Sequence, residues 1–137
     1  MDMNTMSIEA RVKNLPRVLA YINDKLRESD CPPKKRMQIE LAVEEVYVNV
    51  CHYAYGSETG SVDIAIEFEE EPALAKISFS DSGIPFDPLG KEAPNISLAS
   101  EERPIGGLGI FMTRKLMDEV RYKYENGKNH LMLVKYF

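Results

Sequence analysis

Cysteine and histidine are scarce in this chain, and the scarcity excludes whole classes of chemistry. Two cysteines, Cys31 and Cys51, and two histidines, His52 and His130, are all that 137 residues hold. That is too few for a disulfide framework and a poor basis for a zinc cluster. Free thiols in a reducing cytoplasm are expected, with Cys51 kept inert inside an apolar helix. A basic excess is also missing: the formal charge is −5, and its charges are scattered. Phosphate-binding surfaces are usually basic, so a nucleic-acid partner is not expected. No apolar run reaches membrane-spanning length. Met1-Asp2-Met3-Asn4 lacks the basic and apolar regions of a secretory signal, so a cytoplasmic location away from membranes is expected. Repeats, low-complexity stretches and a Gly-Lys-Ser/Thr phosphate loop are absent too.

What remains is an ordinary globular composition, 44% apolar. A chain of this length forms one domain, residues 1–137, and buries roughly two-thirds of its unfolded surface. Residues 7–12 alternate as a short strand, with Ile8, Ala10 and Val12 on one side. Leu15, Val18, Leu19, Ile22 and Leu26 recur at helical spacing, with Asn14 and Pro16 as start signals and Cys31-Pro32-Pro33 as the stop. A longer helix follows over about residues 34–55, its buried stripe being Ile39, Val43, Val46, Val50 and Tyr53. Gly56 ends it.

Residues 61–69 and 74–80 alternate as strands around a tight turn at 70–72, and residues 110–120 read as a third helix. Strands at 119–124 and 130–137 close the chain around Asn126-Gly127. Residues 84–106 carry four prolines and no periodicity, which suits a functional lid. This order predicts an α+β fold: a two-layer α/β sandwich with a mixed, mainly antiparallel sheet covered on one face by three helices.

Three motifs carry chemistry. At 100° per residue Asn49 lies about 40° from Glu45, so both leave one face of the long helix, at the margin of its apolar stripe. Glu44 points about 100° away and is expected in solvent. Asp81 follows a strand, with Gly83 and Pro85 behind it; Asp81 can accept a hydrogen bond from an exocyclic amine, and Gly83 lets backbone approach a flat ring. Gly106-Gly107-Leu108-Gly109 opens a helix whose N-terminus favours polyphosphate. Singly each is ordinary: a polar helix margin, a turn, a glycine pair.

Together and in this order they resemble the N, G1 and G2 boxes of the GHKL (Bergerat-fold) ATPase superfamily. Leu41-Ala42-Val43-Glu44-Glu45 through Ala54-Tyr55, Asp81 through Phe86-Asp87-Pro88, and Gly107-Leu108-Gly109-Ile110 through Asp118-Glu119-Val120 are similar to its anti-sigma factor serine/threonine kinases. That resemblance implies ATP and magnesium as cofactors. It implies Glu45 as the general base, Asn49 as the magnesium ligand, and Asp81 with Gly83 at the adenine. Backbone amides of Gly107, Leu108 and Gly109 would meet the phosphates, with the lid over residues 84–106.

The sequence departs from that family's pattern at three places. Tyr53 stands where many relatives have histidine, with His52 one residue earlier. Asn129 stands near a common threonine, and Arg103 is the lid's basic residue nearest the glycines.

The function implied is an ATP-dependent serine/threonine protein kinase. It would phosphorylate a serine of an STAS-domain anti-anti-sigma protein and regulate a sigma factor by partner switching; homodimers are typical of such relatives. A nucleotide-gated binding module of the same fold without transfer is the alternative, and retention of Glu45 favours the enzyme. A histidine kinase ATP domain is disfavoured by the missing phosphoacceptor helix, and a ligand-free interaction domain by the ordered motifs.

Overall fold

The computed structural model describes residues 4–56, 58–85 and 107–137. Strand β1 (Asn4–Glu9) leads through a single helical turn at Val12–Asn14 into α1 (Leu15–Glu28) and α2 (Pro33–Tyr53). Then come β2 (Ser61–Glu70), β3 (Ala73–Asp81), α3 (Gly107–Leu116), β4 (Glu119–Glu125) and β5 (Lys128–Tyr136). The strands form one sheet in the order β1-β2-β3-β5-β4. Every ladder among the described residues is antiparallel, so the parallel component allowed by a mixed sheet is not found there.

The alternation in β2 and β3 does what period two demands. Val62, Ile64 and Ile66, with Ala75, Ile77 and Phe79, turn to the helical layer and are buried. They join Val18, Ile22 and Leu26 of α1 and Ile39, Val43 and Val46 of α2 in one core. Each valine, leucine, isoleucine and phenylalanine among them contributes about 1.5–3 kcal/mol by leaving water. The opposite face of the sheet carries polar residues, including the exposed pairs Lys76–Glu69 and Lys123–Glu125. Ion pairs this open to solvent are screened and contribute little to stability.

Several local expectations give way to tertiary structure. β1 ends at Glu9, and Val12 stands 47% exposed in the helical turn rather than inside a strand. Asn14 makes no cap bond; its amide donates to the Glu9 carbonyl at 2.9 Å and ties the start of α1 to the end of β1. What stops α1 is Asp30 in the left-handed region (φ 57°), with Cys31 N–H returning to the Leu26 carbonyl at 3.0 Å. The two prolines instead open α2: the Pro32 carbonyl accepts the Arg36 N–H, and Pro33 occupies the first turn.

The third helix ends at Leu116, four residues short of its expected limit. There the Lys135 ammonium donates to the Leu116 carbonyl, and Asp118 N–H already belongs to the sheet, bonded to the Val134 carbonyl at 2.9 Å. Asn126 (φ 56°) and Gly127 (φ 75°) make the primed turn that their sequence predicts. Residues 86–106 lie outside the described residues, and with them most of the expected lid, Arg103 and Phe86-Asp87-Pro88.

Candidate active site

Everything at this site is referred to α2. Tyr47, fully buried, fixes the helix against the first strand: its hydroxyl reaches the Arg11 carbonyl at 2.8 Å and the Glu9 carbonyl at 3.1 Å. Burial pushes its phenol pKa up strongly. The buried face of α2 therefore includes Ala42 and Tyr47 besides Ile39, Val43 and Val46, whereas Val50 and Tyr53 are only half-buried. Asn49 is 6% exposed, so it belongs to that buried face and not to its margin. Glu45 is half-buried and Glu44 exposed, as the helical angles require.

Among the described residues, Glu45 Oε2 and Asn49 Nδ2 are buried without a hydrogen-bond partner, as is Thr113 Oγ1 of α3. A buried polar group left unpaired costs about 1–3 kcal/mol, so three of them on two helices packed together mark a place built for something other than stability. Burial raises the Glu45 pKa; the Asn49 amide one turn on works against that rise, and Glu44 adds to it. A raised carboxyl pKa is the direction a general base needs to take a proton near neutral pH.

The far end of α2 holds the turn after β3. Ile84 N–H donates to the Ala54 carbonyl at 2.8 Å. A Cβ on Gly83 would stand 2.1 Å from that same carbonyl oxygen, so only glycine fits. Close approach to α2 thus accounts for Gly83 without any ligand. Tyr55 completes the bracket, accepting Ser82 N–H at 2.9 Å and donating to the Ser61 carbonyl at 2.6 Å. Inside it Asp81, 6% exposed, accepts Gly83 N–H and the Asn129 amide on Oδ1, both at 2.9 Å.

Gly107 and Gly109 lie within the first turn of α3, not in a loop before it. Their helix packs on α2, the helix that carries Glu45 and Asn49. His52 is exposed. Sequence reasoning missed Tyr47, Tyr55 and Thr113. Tyr55 stands beside Gly56 at a helix end, but nothing local reports that its hydroxyl spans two strands.

A half-buried acid and a buried amide one turn apart on α2, an aspartate at the tip of β3 and a glycine-opened α3 thus stand on one two-layer α/β sandwich. The model of the histidine kinase-like ATPase domain family matches residues 8–135. The chain belongs to that family. It is 31% identical over 98 residues to serine-protein kinase RsbW of Bacillus cereus (strain AH820), covering 69% of this chain and 60% of the relative. The same protein of Bacillus thuringiensis (strain Al Hakam) gives the same identity and coverage. The match thus spans 60% of the length of these curated relatives. A crystal structure of the RsbU and RsbW domains of Rv1364c from Mycobacterium tuberculosis shares the fold, with a TM-score of 0.67 and 17% identity. It covers 96% of this chain and 32% of the other. No described helix is long and apolar enough to cross a membrane.

Proposed function

We propose that the chain is an ATP-dependent serine/threonine protein kinase of the anti-sigma type, acting on a serine of an STAS-domain anti-anti-sigma protein. The observation that carries this reading is the pair of buried atoms without a hydrogen-bond partner, Glu45 Oε2 and Asn49 Nδ2, on one face of α2, in a chain of the histidine kinase-like ATPase family.

The residues fit magnesium. Among the described residues no cluster of three or more acidic, histidine or cysteine side chains forms a protein cage. Magnesium seldom uses one; it keeps waters and phosphate oxygens and takes one or two protein oxygens. An amide turned by 180° presents Oδ1 where Nδ2 stands, so Asn49 can supply one of them. Bound there, the cation would neutralise phosphate charge. Asp81 reads the adenine amine beside Gly83, and backbone amides of Gly107, Leu108 and Gly109 receive the phosphates at the positive end of α3.

Glu45 accepts the proton of the partner's serine hydroxyl as its oxygen bonds to the γ-phosphorus. The bond from that phosphorus to the β,γ-bridging oxygen breaks, and ADP leaves. A phosphoserine bears about −1.5 to −2 charges, enough to repel an acidic partner and free this chain to bind a sigma factor. Incubation with γ-labelled ATP, magnesium and STAS proteins of the same source is the test. Label on a serine of one of them is expected; ATP binding without transfer to any would contradict the kinase and leave a nucleotide-gated module.

A further inference from the structure

Thr113 of α3 is a buried side chain for which the reaction above has no task. It is 1% exposed and Met117, one turn on, is buried too, while Met112, Arg114 and Lys115 are exposed. A threonine inside a helix usually rests its hydroxyl on a carbonyl three or four residues back. Thr113 Oγ1 makes no such bond and has no other partner. On α2, the helix against which α3 packs, Glu45 Oε2 is orphaned in the same way. Both α1 and α3 pack on α2, and not to that extent on each other, so α2 is the middle helix of its layer. Tyr47 marks the α1 flank, since its hydroxyl reaches the Glu9 and Arg11 carbonyls at the approach to α1. At 100° per residue Glu45 lies about 160° from Tyr47, on the flank that meets α3.

The levels along the helices agree with this. α2 starts beside the end of β5, where Lys35 Nζ donates to the Tyr136 carbonyl at 3.1 Å. It ends beside the start of β5, through the bonds that join Ala54 and Asn129 to Ile84. The end of α3 also lies at the end of β5, where Lys135 meets the Leu116 carbonyl, so α3 runs antiparallel to α2. Thr113 is about 4.5 Å of helix from Leu116, whereas Glu45 is about 15 Å from Lys35 and Asn49 about 21 Å. Of the orphaned groups on α2, Glu45 is therefore nearer the level of Thr113. Helical side chains lean toward their own N-terminus, which tips these two toward each other on antiparallel helices.

We propose that Thr113 is a positioning residue for Glu45: in the assembled site its hydroxyl donates to Oε2 and leaves Oε1 to receive the proton of the acceptor serine. The inference rests on the assignment of Glu45 as the base. A hydroxyl has one proton to give and an ionised carboxylate only accepts, so the two groups match. Catalytic hydrogen bonds often tighten only once the reactants are in place. This one fixes a terminal carboxylate torsion that is otherwise broad. It also favours the ionised carboxylate, the form that acts as a base, against the burial that opposes ionisation. The other charged or titratable groups toward this flank are Glu44 and His52 of α2 and Arg114 and Lys115 of α3, all exposed.

The test follows the Glu45 carboxyl by carbon-13 NMR across pH, its signal assigned by its loss in Glu45→Gln, with magnesium and a non-hydrolysable ATP analogue bound. The parent is compared with Thr113→Val, which keeps the shape and removes the hydroxyl, and with Thr113→Ser, which keeps the hydroxyl. Each variant is first melted to establish that it is folded. Glu45 should titrate at higher pH in Thr113→Val than in the parent, and Thr113→Ser should restore the parent's titration. Transfer to an STAS partner that the parent phosphorylates should fall about tenfold or more in kcat in Thr113→Val, with KM for ATP within about twofold. An unchanged titration in a folded Thr113→Val would overturn the inference and leave Glu45 as the base. If Thr113→Val does not fold, an unchanged titration in Thr113→Ala overturns it equally. Transfer at the parent's rate in Glu45→Gln removes the base role first and this inference with it.

Discussion

Glu44 and Glu45 are chemically identical neighbours with opposite surroundings, and the difference is measurable. Glu45 has its pKa raised by burial above the ordinary glutamate value of 4.5. A raised folded-state pKa means that the ionised form is what the fold disfavours. Below the ordinary value the carboxyl is protonated in both folded and unfolded chains, and it costs the fold nothing relative to an amide. That relative stability is lost as pH rises through the raised folded value. Glu45→Gln should therefore melt with the parent at about pH 4 and above it at about pH 7. A constant or reversed gap in melting temperature across that range would contradict a desolvated carboxyl. The distinction between the two glutamates was legible in the sequence, because 100° per residue separates them whatever the chain packs against. The burial of Asn49 was not. Polar character alone put it at the edge of the stripe, whereas the packing of its helix sets how deep it lies.

At the scale of elements, α3 shows where local pattern stops being informative. Its apolar spacing continues to Val120, yet the helix ends at Leu116 because Lys135, nineteen positions further on in the sheet, meets the terminal carbonyl. A cation there also complements the negative end of the helix dipole. Lys135 is 7% exposed, so its stem fills the core edge while its ammonium makes this bond. Lys135→Met keeps the stem and removes the donor. It should lower stability by about 1–2 kcal/mol, read as a lower urea midpoint, and an unchanged midpoint would show that the bond does not hold the helix end. The β4–β5 hairpin is the opposite case. Asn126-Gly127 sets its own turn geometry, and the sequence placed it correctly. Short-range chemistry was readable wherever it was complete within a few residues, and the bracket of Ala54 and Tyr55 on the Asp81 turn was unreadable because its partners are far apart in the chain.

For the molecule as a whole, the two-layer sandwich followed from element order, and the antiparallel sheet joins β3 to β5 across α3 and the segment before it. That non-local pairing sets Asn129 against Asp81. The sequence named both residues without being able to say that they touch. The central claim is that α2 carries a base and a nucleotide-binding amide that can be separated by experiment. The most direct measurement is Glu45→Gln, assayed in parallel for magnesium-ATP affinity and for phosphoryl transfer to an STAS partner that the parent phosphorylates. The account predicts ATP affinity within about threefold of the parent and transfer reduced by about 10²–10⁴-fold. Transfer at the parent's rate would contradict it.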